Sequence, residues 1–97
     1  MADIYGFKLT NGEEIISRVK EIRSEVYILD SPKSLAISPR GDFSLAPVLF
    51  LADPDKPIVL NKSAVACCTE TVRSEMAEQY LAAISKIITP SKNIIMG

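Results

Sequence analysis

The sequence predicts a mainly β fold, a bent and partly open barrel of five strands followed by one C-terminal α-helix. Three observations predict it. Residues 4–37, IYGFKLTNGEEIISRVKEIRSEVYILDSPKSLAI, read as three consecutive antiparallel strands with the turns written between them. Turn chemistry recurs at Pro39-Arg40-Gly41-Asp42 and at Asp53-Pro54-Asp55-Lys56-Pro57, which marks off two more apolar runs. From Thr71 the apolar period lengthens from two residues to nearly four, the change expected where strand gives way to helix.

In the first strand, from Ile4, the large apolar side chains Tyr5, Phe7 and Leu9 alternate with Gly6, Lys8 and Thr10, the pattern of a strand with one buried face. Asn11-Gly12 suits a two-residue turn of mirror-image type, because both residues tolerate positive φ. The second strand covers Glu13 to Ile22. Ile15, Ser17 and Val19 lie on one face, Arg18 and Lys20 on the other. Arg23, Ser24 and Glu25 form a polar turn, and the third strand runs from Val26 to Ile37, apolar on both faces as far as Leu29. Pro32 interrupts its ladder and predicts a bulge or an exposed edge.

The fourth strand is expected over Phe43 to Ala52, with Pro47 inside it unable to donate to a neighbour. The fifth covers Ile58 to Cys68. Val72, Met76, Tyr80, Ile84 and Ile88, widened by Ala77, Leu81 and Ile87, give the stripe of an amphipathic helix over about residues 71–89. Thr69 and Thr71 are candidate caps and Pro90 the expected stop. The tail 90–97 then carries Ile94, Ile95 and Met96, apolar side chains in need of a partner.

A chain of 97 residues, 47% hydrophobic and 24% charged, predicts one domain, residues 1–97, whose small size favours burying more apolar area by oligomerisation. The net charge of −1 excludes a strongly basic polyanion binder, and the eleven Lys and Arg residues form no run. Neither a signal peptide nor a run approaching the ~20 apolar residues of a membrane span is read in the chain, so the expected location is cytoplasmic, without a membrane partner. Cys67 and Cys68 are adjacent, point to opposite faces of a strand and are expected as reduced thiols.

Catalysis finds little support in these residues. Histidine is absent, and with it the commonest general base and the usual partner of a nucleophilic Ser or Cys. Cys67-Cys68 lacks the spacing of a zinc site, Asp53 and Asp55 read as turn formers between prolines, and the four glycines make no phosphate loop. No enzyme, metal or cofactor is expected. What remains is binding chemistry: Arg23 and Tyr27 place a cation and an aromatic face near one loop, a pair that suits single-stranded RNA. The same two residues also read as a solvated turn arginine and a half-buried strand tyrosine.

The segment FKLTNGEEIISRVKEI followed by VYIL resembles the first conserved segment of the Sm and Sm-like family, and IVLNKSAVACC resembles the second, shorter one. The resemblance covers roughly Ile4 to Cys68. It implies an SH3-type barrel and a homo-oligomeric ring of about five to seven subunits, in which a strand of one copy pairs with a strand of the next. It also implies single-stranded RNA as the partner. Arg23 and Tyr27 stand where the family usually carries an Asp and an Asn that hold uridine, and Asn61, Lys62 and Ser63 replace the second segment's usual residues. Of these only Lys62 corresponds to a family RNA contact. The implied RNA site is therefore Arg23, Tyr27, Asn61 and Lys62, with weak base selectivity. The C-terminal position of the helix is similar to that in divergent phage-encoded members, and the competing reading is a ring that acts as a scaffold without nucleic acid.

Overall fold

The structure, a computed structural model, describes the backbone of residues 3–96 and the side chains of residues 3–85. Its elements are β1 (Asp3–Leu9), β2 (Glu14–Ile22), β3 (Val26–Ile37), β4 (Phe43–Pro47), β5 (Ile58–Asn61), a 3-10 turn (Lys62–Ala64), β6 (Val65–Thr69) and α1 (Ser74–Met96). The strands form one antiparallel sheet in the order β4-β3-β2-β1-β6, with β5 paired to β3 beside β4. The fold is mainly β with one C-terminal helix. The sheet stays open: β6 is one edge, and β4 and β5 share the other.

Six strands replace the expected five because the run from Ile58 to Cys68 is broken at Lys62–Ala64. The 3-10 turn is fixed from both sides, with the Lys62 amide donating to Glu25 C=O at 2.9 Å and the Thr10 amide donating to Ala64 C=O at 2.8 Å. This turns β5 away toward β3 and leaves β6 on β1. β4 stops at Pro47 rather than Ala52. Proline lacks the amide that would extend the ladder, and the chain turns at once, Ala52 donating to Leu49 C=O at 3.1 Å.

The β1–β2 connection also departs from expectation. Leu9 donates to Glu13 C=O at 2.8 Å, which leaves a three-residue loop instead of a two-residue one. Gly12 alone takes positive φ, +93°, and the Asn11 side chain accepts the Glu13 amide at 2.9 Å. A type I turn closed by one left-handed glycine needs only that residue to be permissive.

One face of the sheet holds the core: Tyr5, Phe7, Ile15 and Leu29 are buried, with Leu9, Val19, Tyr27, Val48, Leu60 and Val65 around them. Phe7 meets the Tyr27 ring edge-on at 4.9 Å between centroids, a favourable aromatic geometry. By strand alternation Ile16 and Ile28, also buried, face the other side. Gly6 is on that side as well. A Cβ there would stand 3.3 Å from Thr69 Cγ2 and 3.7 Å from Val72 Cγ2, so the missing side chain admits the segment that leads into α1.

Pro32 does mark a bulge. The β2–β3 ladder skips from Ile16↔Lys33 to Arg18↔Asp30, and Ser31 in the gap has φ of +58°. The skip frees backbone groups in a buried place, and side chains satisfy them. Tyr80, with no exposed surface, accepts the Arg18 amide at 3.0 Å and lies within donating distance of Asp30 C=O (3.0 Å) and Ser31 C=O (2.8 Å). Ser17, equally buried, donates toward Arg18 C=O at 2.8 Å. Tyr80 thereby pins α1 to the sheet.

α1 begins at Ser74, three residues later than expected, and neither Thr69 nor Thr71 caps it. Arg73 C=O accepts the amides of Met76 and Ala77, while Thr69 Oγ1 accepts the Thr71 amide at 3.1 Å and shapes the bend before the helix. Of the expected stripe, Met76, Ala77 and Ile84 are half-buried, but Leu81 is exposed. The helix continues through Pro90 to Met96. A proline removes one intrahelical hydrogen bond and strains one turn, which weakens a helix without necessarily ending it. The side chains of Ile94, Ile95 and Met96 lie outside the described residues.

Candidate nucleic-acid interface

Two of the four expected RNA contacts, Tyr27 and Lys62, come together where β3 begins and β5 ends. The ladder sets Val26 opposite Asn61 and Tyr27 opposite Leu60. It then hands over to the 3-10 turn, whose first residue, Lys62, is held by its amide to Glu25. That backbone bond places the lysine side chain over the tyrosine: Nζ lies 5.3 Å from the Tyr27 ring centroid. The distance is within the range of a cation–π contact, worth ~0.5–1 kcal/mol at an exposed site. Asn61, next to Lys62 in sequence but opposite Val26 in the ladder, is exposed on the other face of the strand by alternation.

Tyr27 is half-buried, since its ring edge belongs to the core through Phe7. Its hydroxyl is 3.7 Å from Cys68 Sγ across the sheet. The hydrogen bond to Cys68, then burial, raises the phenol above its ordinary pKa, so the ring is neutral at physiological pH. Lys62 covers one face of that ring.

Arg23 stands apart from this group. It sits in the turn before β3, where its amide donates to Val26 C=O at 2.9 Å. Its guanidinium makes a two-pronged pair with Glu21, Nε to Oε2 at 2.8 Å and a terminal nitrogen to Oε1 at 3.1 Å. The hydrogen bond raises the arginine pKa and lowers that of the glutamate. Other cations are matched locally too, Lys8 by Glu14, Arg18 by Asp30, Arg40 by Asp42 and Arg73 by Glu75. Five cations among the described residues are thus paired within the chain.

The cysteines face opposite ways, as adjacent strand residues must. Cys68 turns to Tyr27, while Cys67, beside Lys8, lines a concavity on the helix side, and both thiols are free. This open groove, of about 700 Å³, runs between β1, β6 and the start of α1, with Phe7, Leu35, Phe43, Val72 and Met76 in its wall and Arg73 at its rim. Among the described residues no three His, Cys, Asp or Glu side chains cluster as a metal site would require.

Sequence reasoning missed two features that matter here. Leu49, Phe50 and Leu51, read as strand, form an exposed turn instead, with Phe50 88% and Leu51 94% accessible. The signal was present in Pro47, which already argued against a continuous ladder. The contact between Tyr27 and Cys68 had no signal, because it depends on how far the sheet bends. No protein-family model matches this chain, and a search of curated proteins finds no match either.

Proposed function

We propose that this chain is a non-catalytic, Sm-like subunit that assembles with copies of itself into a ring, the free edge of β5 in one copy pairing with the free edge of β6 in the next. The observation that carries the reading is the contrast between the sheet's edges. β4 ends in a proline, a common protection against edge pairing. β5, Ile-Val-Leu-Asn, and β6, Val-Ala-Cys-Cys-Thr, contain neither charge nor proline, and Val59, Ala66, Cys67 and Cys68 are exposed on them. Two different unprotected edges on opposite sides of one sheet give a head-to-tail contact, which closes into a ring when the rotation between copies allows.

Native mass measurement tests this directly. The expected species is about five to seven times the 10.6 kDa chain, as the family resemblance implies. Val59→Lys, at a position 59% exposed in the single chain, is expected to shift it to monomer while leaving the far-UV spectrum unchanged. A wild-type monomer at micromolar concentration defeats the proposal.

A second reading, single-stranded RNA binding by the assembled ring, is favoured by the cation that Lys62 sets over the aromatic face of Tyr27. One copy with a net charge of −1 attracts phosphate poorly, but symmetry repeats Lys62 around an axis and concentrates its field. The expected result is salt-sensitive binding of oligo-U and oligo-A with similar affinities, weakened by Lys62→Ala and by ~1–3 kcal/mol in Tyr27→Ala. Arg23→Ala is expected to matter less, since Glu21 already engages that guanidinium. Absence of binding at low salt leaves the scaffold as the function.

A further inference from the structure

The β4–β5 connection carries an unusual turn. Ala52 donates to Leu49 C=O, so Phe50 and Leu51 occupy the two central positions, where Gly, Pro, Asn or Asp ordinarily stand, and both project into solvent. The turn itself is well anchored. Pro47, Val48 and Ala52 line a small concavity with Pro32 and Ile58, and a second tight turn follows at once, Lys56 donating to Asp53 C=O at 3.1 Å. Two large apolar side chains held out on a braced support gain nothing within one copy, and such a feature ordinarily meets a surface.

We propose that Phe50 and Leu51 dock into the groove between β6 and the start of α1 on the next copy, as the anchor of the ring contact. This rests on the edge pairing above, and the geometry of that pairing leads to it. Every pair in the sheet is antiparallel. The same mode between copies sets Asn61 of one beside Val65 of the other, and Ile58 beside Cys68. The connection that enters Ile58 then lies against Thr69 to Arg73, which is the mouth of the groove.

The chemistry of the two surfaces matches. The groove carries an apolar stretch, Val72, Phe43 and the adaptable Met76, among the charged Lys8, Glu14, Arg73 and Glu75, and its volume of about 700 Å³ admits more than one large side chain. Asp53 and Asp55 follow the turn, and Arg73 stands at the rim, 82% exposed at its side chain and only 4.0 Å from its partner Glu75. The entry that sets this acidic flank beside Arg73 and away from Glu14 and Glu75 is the one the charges favour. Heterologous contacts of this kind, a projection on one side and a pocket on the other, propagate around a ring without a twofold axis.

The test uses the full chain in two forms. In a dilution series followed by sedimentation, Phe50→Ser is expected to weaken assembly roughly 30-fold per contact, the scale of a buried aromatic anchor, with an unchanged thermal melt of the dissociated chain. In a background of Cys67→Ser and Cys68→Ser, a mixture of Phe50→Cys chains with Thr71→Cys chains is expected to form a mixed disulfide under mild oxidation. Arg40→Cys, on an exposed turn elsewhere, is the control in place of Phe50→Cys. Assembly of Phe50→Ser at the wild-type concentration, or cross-linking no faster than the control, overturns the docking and leaves the ring standing. A monomeric wild type removes both. Co-sedimentation of wild type, but not of Phe50→Ser, with phosphatidylcholine vesicles while assembly is unaffected assigns the turn to lipid and also overturns it.

Discussion

Replacing Tyr80 with Phe is expected to lower the unfolding free energy by about 2–3 kcal/mol, the scale for leaving a buried donor and its facing acceptors unpaired. The phenol fills the place between helix and sheet where the β2–β3 ladder breaks: it takes the Arg18 amide and faces Asp30 and Ser31 carbonyls. Phenylalanine keeps the packing and removes only the oxygen, so the loss measures those hydrogen bonds. Tyr80→Ala removes the ring as well, and the cavity raises the cost to about 4 kcal/mol or more. Against the usual ~5–15 kcal/mol for a folded domain, that brings α1 close to detaching. Urea unfolding followed by circular dichroism gives the values, and hydrogen exchange gives the mechanism, since the Arg18 amide should lose protection in Tyr80→Phe before its neighbours do. A Tyr80→Phe variant within about 0.5 kcal/mol of wild type refutes this account, because that range is typical of surface changes with no buried partner.

The parts of the fold legible in the sequence are those controlled by local pattern. Alternation in Tyr5, Phe7 and Leu9 and in Ile15, Ser17 and Val19 depends only on which side of a strand meets the core, and those residues are buried or half-buried as the pattern implies. The bulge at Pro32 was readable because proline cannot donate, wherever the strand lies. What escaped was set by distant partners. The break between β5 and β6 needs Glu25 and Thr10 to receive the chain at Lys62–Ala64, and nothing in the run from Ile58 to Cys68 announces them. Tyr80 looked like one more member of an apolar stripe, since its hydroxyl becomes the essential part only opposite a ladder gap fifty residues away in sequence.

The candidate site divides in the same way. Tyr27 and Lys62 meet because an antiparallel register brings the start of β3 to the end of β5, and the same register turns Asn61 to the other face. Arg23 was paired with Tyr27 by proximity in sequence, yet the guanidinium turns back two residues to Glu21, an ion pair within reach of any strand end. The loop tip at Phe50 and Leu51 was hidden for a different reason: an apolar run is equally a buried strand or an exposed anchor, and only the turn geometry separates the two.

Stability is also expected to fall above about pH 10, the ordinary phenol range, and Tyr80 should contribute to the fall. Its pKa is raised, chiefly by burial, an effect partly opposed by the Arg18 amide, the Arg18 charge and Ser17. A raised phenol pKa means that the folded chain keeps a proton which the unfolded chain gives up. Tyr80 therefore contributes its full stability below the unfolded pKa and loses it as pH rises through the folded one, with a limiting slope of about 1.4 kcal/mol per pH unit for one proton. Tyr5, raised first by burial, and Tyr27, raised first by its hydrogen bond to Cys68, act in the same direction, so some slope persists without Tyr80. The diagnostic comparison is urea unfolding of wild type and Tyr80→Phe from about pH 7 to about pH 11.5, the interval that brackets phenol ionisation. Tyr80→Phe starts lower and declines less, and the two curves converge as the wild-type phenol ionises on opening. Parallel curves across the whole interval would show that Tyr80 keeps the same affinity for its proton in the folded and unfolded chain, and that its hydroxyl is not buried at the bulge.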